Sequence, residues 1–306
     1  MKRLLFALLL TACDAEDTAP LGVVRGTAWF LGPVAGAPVT LHLSNADGSE
    51  RGLVASGVTG DDGGFHFDGL DVEAPYRVRV ELAGRPWRTA HTTGTFAEGD
   101  RLQTATGLVE PYSDEVDRRE HTVSATPLST LVLAAGESLR MVNREVPLPE
   151  AQRGARIWLG FDPLVTPIGP RDGALDDAVR HTLVLDSFDA LADAIATVMG
   201  VQPGTAFNPP DLLRFLVDDA LGLVPAGQLD GIGSEGPLVV RGAADYVFSP
   251  DTLQSELRDA LDRLLASDEG PWGRLAPGDV QALRLRLSCS GSKLFPQCRL
   301  VPPPAP

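Results

Sequence analysis

Three groups of residues have the types and spacing to do chemistry. Gly231-Ile232-Gly233-Ser234-Glu235-Gly236 matches G-x-G-x-x-G, a pattern whose glycines let backbone approach a pyrophosphate at a helix N-terminus. That use needs a strand before the motif and a helix after it. Here a helical pattern and a Pro225-containing loop precede it, and the strand-like Leu238-Val239-Val240 follows. The context is reversed, and a plain glycine loop is expected. Asp186, Asp189 and Asp193 share the helix face opposite Val184, Phe188, Leu191 and Ile195. They could hold a cation or pair as acid and base, but a solvated acidic face is the ordinary expectation. Asp218, Asp219 and Asp230 form a second acidic group near a loop. They are the candidate calcium ligands, although no twelve-residue calcium-loop pattern surrounds them. Gathered with His181 in a deep pocket, they would be the material of a hydrolase.

Other chemistry is sparse. No G-x-S-x-G elbow and no H-E-x-x-H pair occurs, so a catalytic site would have to assemble from residues far apart in the chain. His42 and His66 both point away from the apolar face of their strands by alternation, where an exposed histidine is ordinarily incidental. Trp29 and Trp87 could form an aromatic platform for a sugar or a peptide, with core packing as the competing expectation. No cofactor is expected.

Composition bounds the rest. The chain has 306 residues, 43% hydrophobic and 22% charged, an ordinary globular balance that allows a real core in about two domains. Twenty-six Lys and Arg against 41 Asp and Glu give a net charge of −15. That argues against nucleic acid as a partner, because phosphates must be met with cations. Three cysteines cannot build a disulfide-dense scaffold or a four-cysteine zinc site.

The N-terminus reads as a targeting segment. Lys2 and Arg3 precede the apolar run Leu4 to Leu10. Seven helical residues span about 10 Å, far short of a bilayer core. Leu10-Thr11-Ala12-Cys13 resembles the bacterial lipoprotein signal, in which a small residue precedes a cysteine that is lipidated and becomes the mature N-terminus. The resemblance implies that 1–12 is a signal peptide and that Cys13 carries lipid. It also implies a cell-envelope location, anchored to a bacterial membrane. Acyl chains at about 0.8 kcal/mol per buried methylene would hold it there. Residues 13–20 then read as a solvated tether.

Residues 21–110 carry period-2 patterning. Val24, Gly26, Ala28 and Phe30 alternate with polar or outward positions, as do Val39, Leu41 and Leu43, then Phe65 and Phe67, then Tyr76, Val78, Val80 and Leu82. Gly32-Pro33, Asp47-Gly48 and Asp61-Asp62-Gly63-Gly64 supply the turns. This predicts an antiparallel β-sandwich. The segments Val24–Thr27, Pro33–Leu41, Thr59–Leu70 and Tyr76–Val80 resemble the carboxypeptidase regulatory-like domain. The resemblance implies a transthyretin-type sandwich of about seven strands with no catalytic residues of its own. A zinc carboxypeptidase, which the family name raises, needs a His with Glu three residues later; none of the chain's five histidines has one.

A polar stretch, 111–120, reads as a linker, and beyond it the period changes to 3.6. Thr126-Pro127, Asn208-Pro209 and Ser249-Pro250 each put a capping side chain before a proline at the first helical position. Leu253, Leu257, Leu261 and Leu264 form one stripe; Val184, Phe188, Leu191 and Ile195 form another. Helices are also expected over Leu128–Val142 and Leu212–Leu223. The fold class is therefore α+β and multidomain: the sandwich, then a mostly helical domain over 121–300, then a stiff Pro-rich tail at 301–306. Ala125-Thr126-Pro127-Leu128-Ser129-Thr130-Leu131 is similar to a segment that follows such sandwiches in envelope proteins, which implies a helical domain of unassigned role. In the oxidising compartment that the lipoprotein resemblance implies, Cys289 and Cys298, nine apart, should form a disulfide.

Together these readings lead to a lipid-anchored envelope protein that acts as a non-catalytic binding or scaffolding module for an envelope protein or glycan. The alternatives are a hydrolase with an acidic site in the helical half and a calcium-stabilised structural protein at the cell surface.

Overall fold

The computed structural model describes residues 21–45, 47–71, 75–89, 92–106, 120–172, 174–202, 207–222, 227–266, 272, 275 and 277–287. Cys13, the signal and tether, the 111–119 part of the linker, Cys289, Cys298 and the tail lie outside them.

The alternating runs become strands: β1 (Leu21–Ala28), β2 (Pro38–Ser44), β3 (Glu50–Val58), β4 (Gly64–Asp71), β5 (Tyr76–Glu81), the short β6 (Pro86–Arg88) and β7 (Thr93–Thr95), β8 (Arg101–Ala105) and β9 (Glu120–Ala125). One antiparallel sheet has the order β3-β2-β5-β8. Leu41 stands opposite Val78 and Val80 opposite Leu102, so this register lines up one apolar face; all four are essentially buried. A second sheet has the order β4-β1-β9. Here β1 pairs antiparallel with β4 and parallel with β9.

Strand β9 differs from the sequence reading, which assigned 121 onward to the helical half. The segment shows no alternation because Val123, Ser124 and Ala125 are all buried, as in parallel strands covered on both faces. Strand β3 is the opposite case. It is an edge strand with Leu53 and Val58 63% exposed and two register irregularities against β2, so it has no one-sided pattern to read.

The helices are α1 (Pro127–Met141), α2 (Pro147–Leu159), α3 (Asp177–Val198), α4 (Pro209–Leu221), α5 (Pro250–Ala266) and α6 (Pro277–Leu287). Short strand pairs, β10 (Ile232–Gly233) with β11 (Gly236–Pro237) and β12 (Val239–Val240) with β13 (Tyr246–Val247), lie between α4 and α5. The caps expected at Thr126 and Asn208 form. Thr126 Oγ1 accepts from Ser129 N at 3.2 Å, and Ser129 Oγ in turn accepts from Thr126 N at 2.8 Å, a reciprocal capping box. Asn208 Oδ1 accepts from Asp211 N at 3.1 Å. Among the described residues, no helix is long and apolar enough to cross a membrane.

The strand-rich and helical halves are joined through one contiguous buried cluster that runs from Val24 to Leu283. The seam is hydrogen-bonded as well as apolar. Gln103 N donates to Thr130 Oγ1 at 2.9 Å and Ser129 Oγ donates to Gln103 O at 2.6 Å. The first turn of α1 thus satisfies the open edge of β8. Ser124 N and Thr104 Oγ1 both donate to Leu164 O, at 2.7 and 3.2 Å, so the Pro/Gly-rich segment after α2 is tied to the strands as well.

Candidate binding groove

The alternation that buries Tyr76, Val78 and Val80 must turn Arg77 and Arg79 to the other face of the four-stranded sheet. There α1 and α4 rise beside the strands and enclose a groove of about 500 Å³. Four guanidinium groups line it: Arg77 and Arg79 from β5, Arg101 from β8 and Arg140 from the last turn of α1. Two carboxylates share the groove, Glu50 from β3 and Glu137 from α1, and Leu133 and Val217 add an apolar wall. Arg79 Nη2 donates to Glu50 Oε2 at 2.9 Å, while His42 Nδ1 lies 3.0 Å from Glu50 Oε1. Arg140 pairs with Glu137 one turn back, which holds the carboxyl below its usual range. Arg77 and Arg101 have no ion pair among the described residues. Burial lowers the Arg77 guanidinium from its usual value, against the pull of Glu137 and Glu50. The Nε atoms of Arg77 and Arg79 are buried without an acceptor.

A second groove, of about 600 Å³, runs beside the β6–β7 hairpin, with Phe30, Pro33, Arg85, Trp87 and Phe96 on its walls. Phe30 and Phe96 meet edge to face at 4.9 Å. Trp29 and Trp87 do not share this groove. Trp87 is 7% exposed because Gly94 lies on its ring, where a methyl group would sit 2.4 Å from Cζ2. Trp29 is half-buried against the core and is absent from this groove.

The acidic groups are put to structural use. Asp219, near the C-terminal end of α4, is 1% exposed. Its Oδ1 accepts from the backbone N–H groups of Asp230, Gly231 and Ile232 at 3.2, 3.0 and 3.2 Å. Burial pushes its carboxyl up to about 7, against the pull of those amides. Asp218 Oδ1 accepts from Ser234 Oγ at 2.6 Å, and Asp230 Oδ1 accepts from Ile232 N at 2.9 Å. Oxygens of the candidate calcium ligands Asp218, Asp219 and Asp230 thus accept from N–H and O–H groups of the glycine loop and clasp it. Gly231, at φ 82°, and Gly233 permit the close approach. Among the described residues, no three His, Cys, Asp or Glu side chains are grouped to hold a metal. The expected solvated face on α3 is partly covered. Asp186 takes a two-pronged bond from Arg171, both distances 2.8 Å, and a third from Trp272 Nε1 at 3.1 Å.

His181 does not join these carboxylates. It is fully buried, with Nδ1–H donating to Thr166 O at 3.0 Å and Nε2 3.3 Å from Thr126 Oγ1. Phe161 packs on the ring at 5.0 Å. Desolvation lowers its pKa from 6.5 to about 4. Between those values the unfolded chain binds the proton and the folded chain does not, so stability falls as pH drops through the window. Relative to a His181→Gln variant, the wild type is expected to lose on the order of 2 kcal/mol between pH 7 and pH 4.5, at 1.36 kcal/mol per pKa unit. Urea denaturation at the two pH values measures this; an equal loss in both proteins would refute it. His42 and His66 lie on different sheets, His42 on β2 and His66 on β4, where His66 is 3.6 Å from Asp68.

The groove arginines are the residues that sequence reasoning passed over. Arg77 and Arg79 appear there only as the polar half of an alternation. The available signal was composition: 24 of the 26 cationic residues are arginine, the side chain suited to forked oxyanion contacts.

No protein-family model matches the chain, and no curated protein matches it. Among solved structures, the major pilin subunit BcpA of Bacillus cereus is similar at 12% identity over 35% of this chain and 29% of that one, with a TM-score of 0.24. The shaft pilin spaA from Lactobacillus rhamnosus GG is similar at 12% identity over 35% of this chain and 46% of that one, with a TM-score of 0.21. A 9R-lipoxygenase from Cyanothece is similar at 12% identity over 63% of this chain and 33% of that one, with a TM-score of 0.21. The chain thus spans less than half of each solved chain. At these scores the likenesses define neither a shared fold nor a shared activity.

Proposed function

We propose that this chain is a lipid-anchored cell-envelope protein acting as a non-catalytic binding or scaffolding module for an envelope protein or glycan. In this reading Cys13 carries the lipid, the two larger sheets form a transthyretin-type sandwich, and the helices brace one side of it. Cys289 and Cys298 close a small loop at the C-terminal end. The observation that carries the reading is the seam groove. It is ligand-sized and walled by both halves of the chain. The carboxylates and the histidine that a hydrolase would gather are instead bonded within the fold.

Fractionation of the wild type and Cys13→Ser in a bacterial host tests the location. The wild type is expected to sediment with membranes and to be released by detergent, while Cys13→Ser is recovered in the soluble fraction. Cross-linking in intact cells followed by solubilisation then tests the role, with a discrete envelope protein or glycan adduct expected. A soluble wild type, or a membrane-bound protein that forms no adduct, would overturn the reading.

A further inference from the structure

We propose that the seam groove is an oxyanion receptor, in which Arg77, Arg79, Arg101 and Arg140 grip a small ligand bearing two or more carboxylate or phosphate groups. The inference rests on reading that groove as the binding surface and names what it takes. A chain of net charge −15 repels anions from most of its surface, so four guanidiniums collected in one groove are a local reversal of its field. Ion pairing within the fold accounts for two of them: Arg79 is answered by Glu50, and Arg140 by Glu137. Arg77 and Arg101 add positive charge to the same space with no ion pair among the described residues.

Arg77 makes the stronger point. Taking a guanidinium out of water is costly unless its donors meet acceptors. Its Nε is buried with no acceptor, and so is that of Arg79, one alternation along the same strand. Arg77 lines the groove while its Nε–H has no acceptor within the fold, so a small turn of the side chain that presents the planar fork to a carboxylate or phosphate gives up no hydrogen bond at that atom. The two forks sit on the sheet floor, Arg101 comes from the neighbouring strand, and Arg140 comes from the helix above. A ligand with one anionic group would leave part of this set unanswered; two or more would use it. Leu133, Ala134, Val217 and Leu221 on the helical side give the ligand's uncharged body an apolar surface.

Isothermal titration of the detergent-solubilised full chain with sodium citrate and, separately, with inorganic pyrophosphate at pH 7 and fixed ionic strength tests the proposal. One-site binding of at least one anion is expected, weakened at least tenfold by Arg77→Gln and by Arg101→Gln. Arg241→Gln, on a side chain 83% exposed and away from the groove, is expected to bind as the wild type does. Binding of citrate alone assigns a carboxylate ligand, and binding of pyrophosphate alone assigns a phosphate ligand; both uphold the receptor. Arg101 is exposed, so Arg101→Gln keeps the test open should Arg77→Gln fail to fold. No binding of either anion, or equal binding by all variants, would overturn the proposal. A membrane-bound protein that ignores both anions would remove only the oxyanion assignment. A soluble, unlipidated chain that binds them through these arginines would remove only the envelope location.

Discussion

Asp219→Ala is expected to lower the free energy of unfolding by about 4 kcal/mol, since each buried donor left without an acceptor costs roughly 1–3 kcal/mol. Three backbone N–H groups, those of Asp230, Gly231 and Ile232, converge on Oδ1; Ile232 N also donates to Asp230 Oδ1, so the substitution orphans the other two. Water cannot replace the carboxylate easily at a position 1% exposed. The loop cannot swing away either. Gly231 is pressed against the Phe248 carbonyl, so closely that a methyl group there would sit 2.1 Å from the oxygen. Asp219→Asn keeps the Oδ1 acceptor and is expected to cost far less. Its cost should also depend on pH. The unfolded carboxyl gives up its proton near 3.8, whereas the folded one holds it to about 7. Across that window the folded state binds more protons, so wild-type stability falls as pH rises. The asparagine variant has nothing to titrate, and its deficit should shrink from pH 4 to pH 7. Urea denaturation across this range measures both effects. A deficit for Asp219→Ala below about 1 kcal/mol, the scale of an ordinary surface change, would show that the clasp is dispensable.

Gly26→Ala is the second large effect, an expected loss of about 3 kcal/mol, the upper end of overpacking costs. Gly26 lies in β1 between Phe65 on β4 and Val123 on β9. A methyl group there would lie 2.3 Å from Phe65 Cζ and 2.7 Å from the Val123 carbonyl oxygen. The ring can turn, but the carbonyl belongs to a strand paired along its whole length with β1. Relief therefore requires the sheet to open. Gly57→Ala is the matched control, because a methyl group there meets Phe67 and Val39 at an ordinary 3.7 Å. Its change is expected to stay within about 0.5–1 kcal/mol. Thermal unfolding of both variants by circular dichroism separates them, and equal melting temperatures would contradict this account of the sheet.

These two sites illustrate what the sequence could express. Features set by neighbours in the chain were legible. Thr126-Pro127 and Asn208-Pro209 cap helices because the hydroxyl or amide and the proline ring act within one turn. Alternation in β2 and β5 was readable because one face of each is buried. Helix α2 was not, because Val146 offers no capping side chain. Strand β9 was hidden by burial on both faces, and β3 by exposure on both. The candidate groove was harder still. Arg77 and Arg79 declare only that they face away from Val78, while Arg101 and Arg140 arrive through strand order and helix docking that no local pattern encodes. The bonding of the acidic cluster was hidden for the same reason. Asp218 and Asp219 look like free ligands until the loop at 230–234 turns its amides back onto them.

The account as a whole stands on the chemistry of Cys13, and mass analysis of the N-terminal peptide from protein purified out of the membrane fraction tests it most directly. The predicted result is a chain that begins at Cys13 and carries acyl mass on that residue. A chain that still begins at Met1, with an unmodified Cys13 thiol, would contradict the anchor, the compartment and the role built on them.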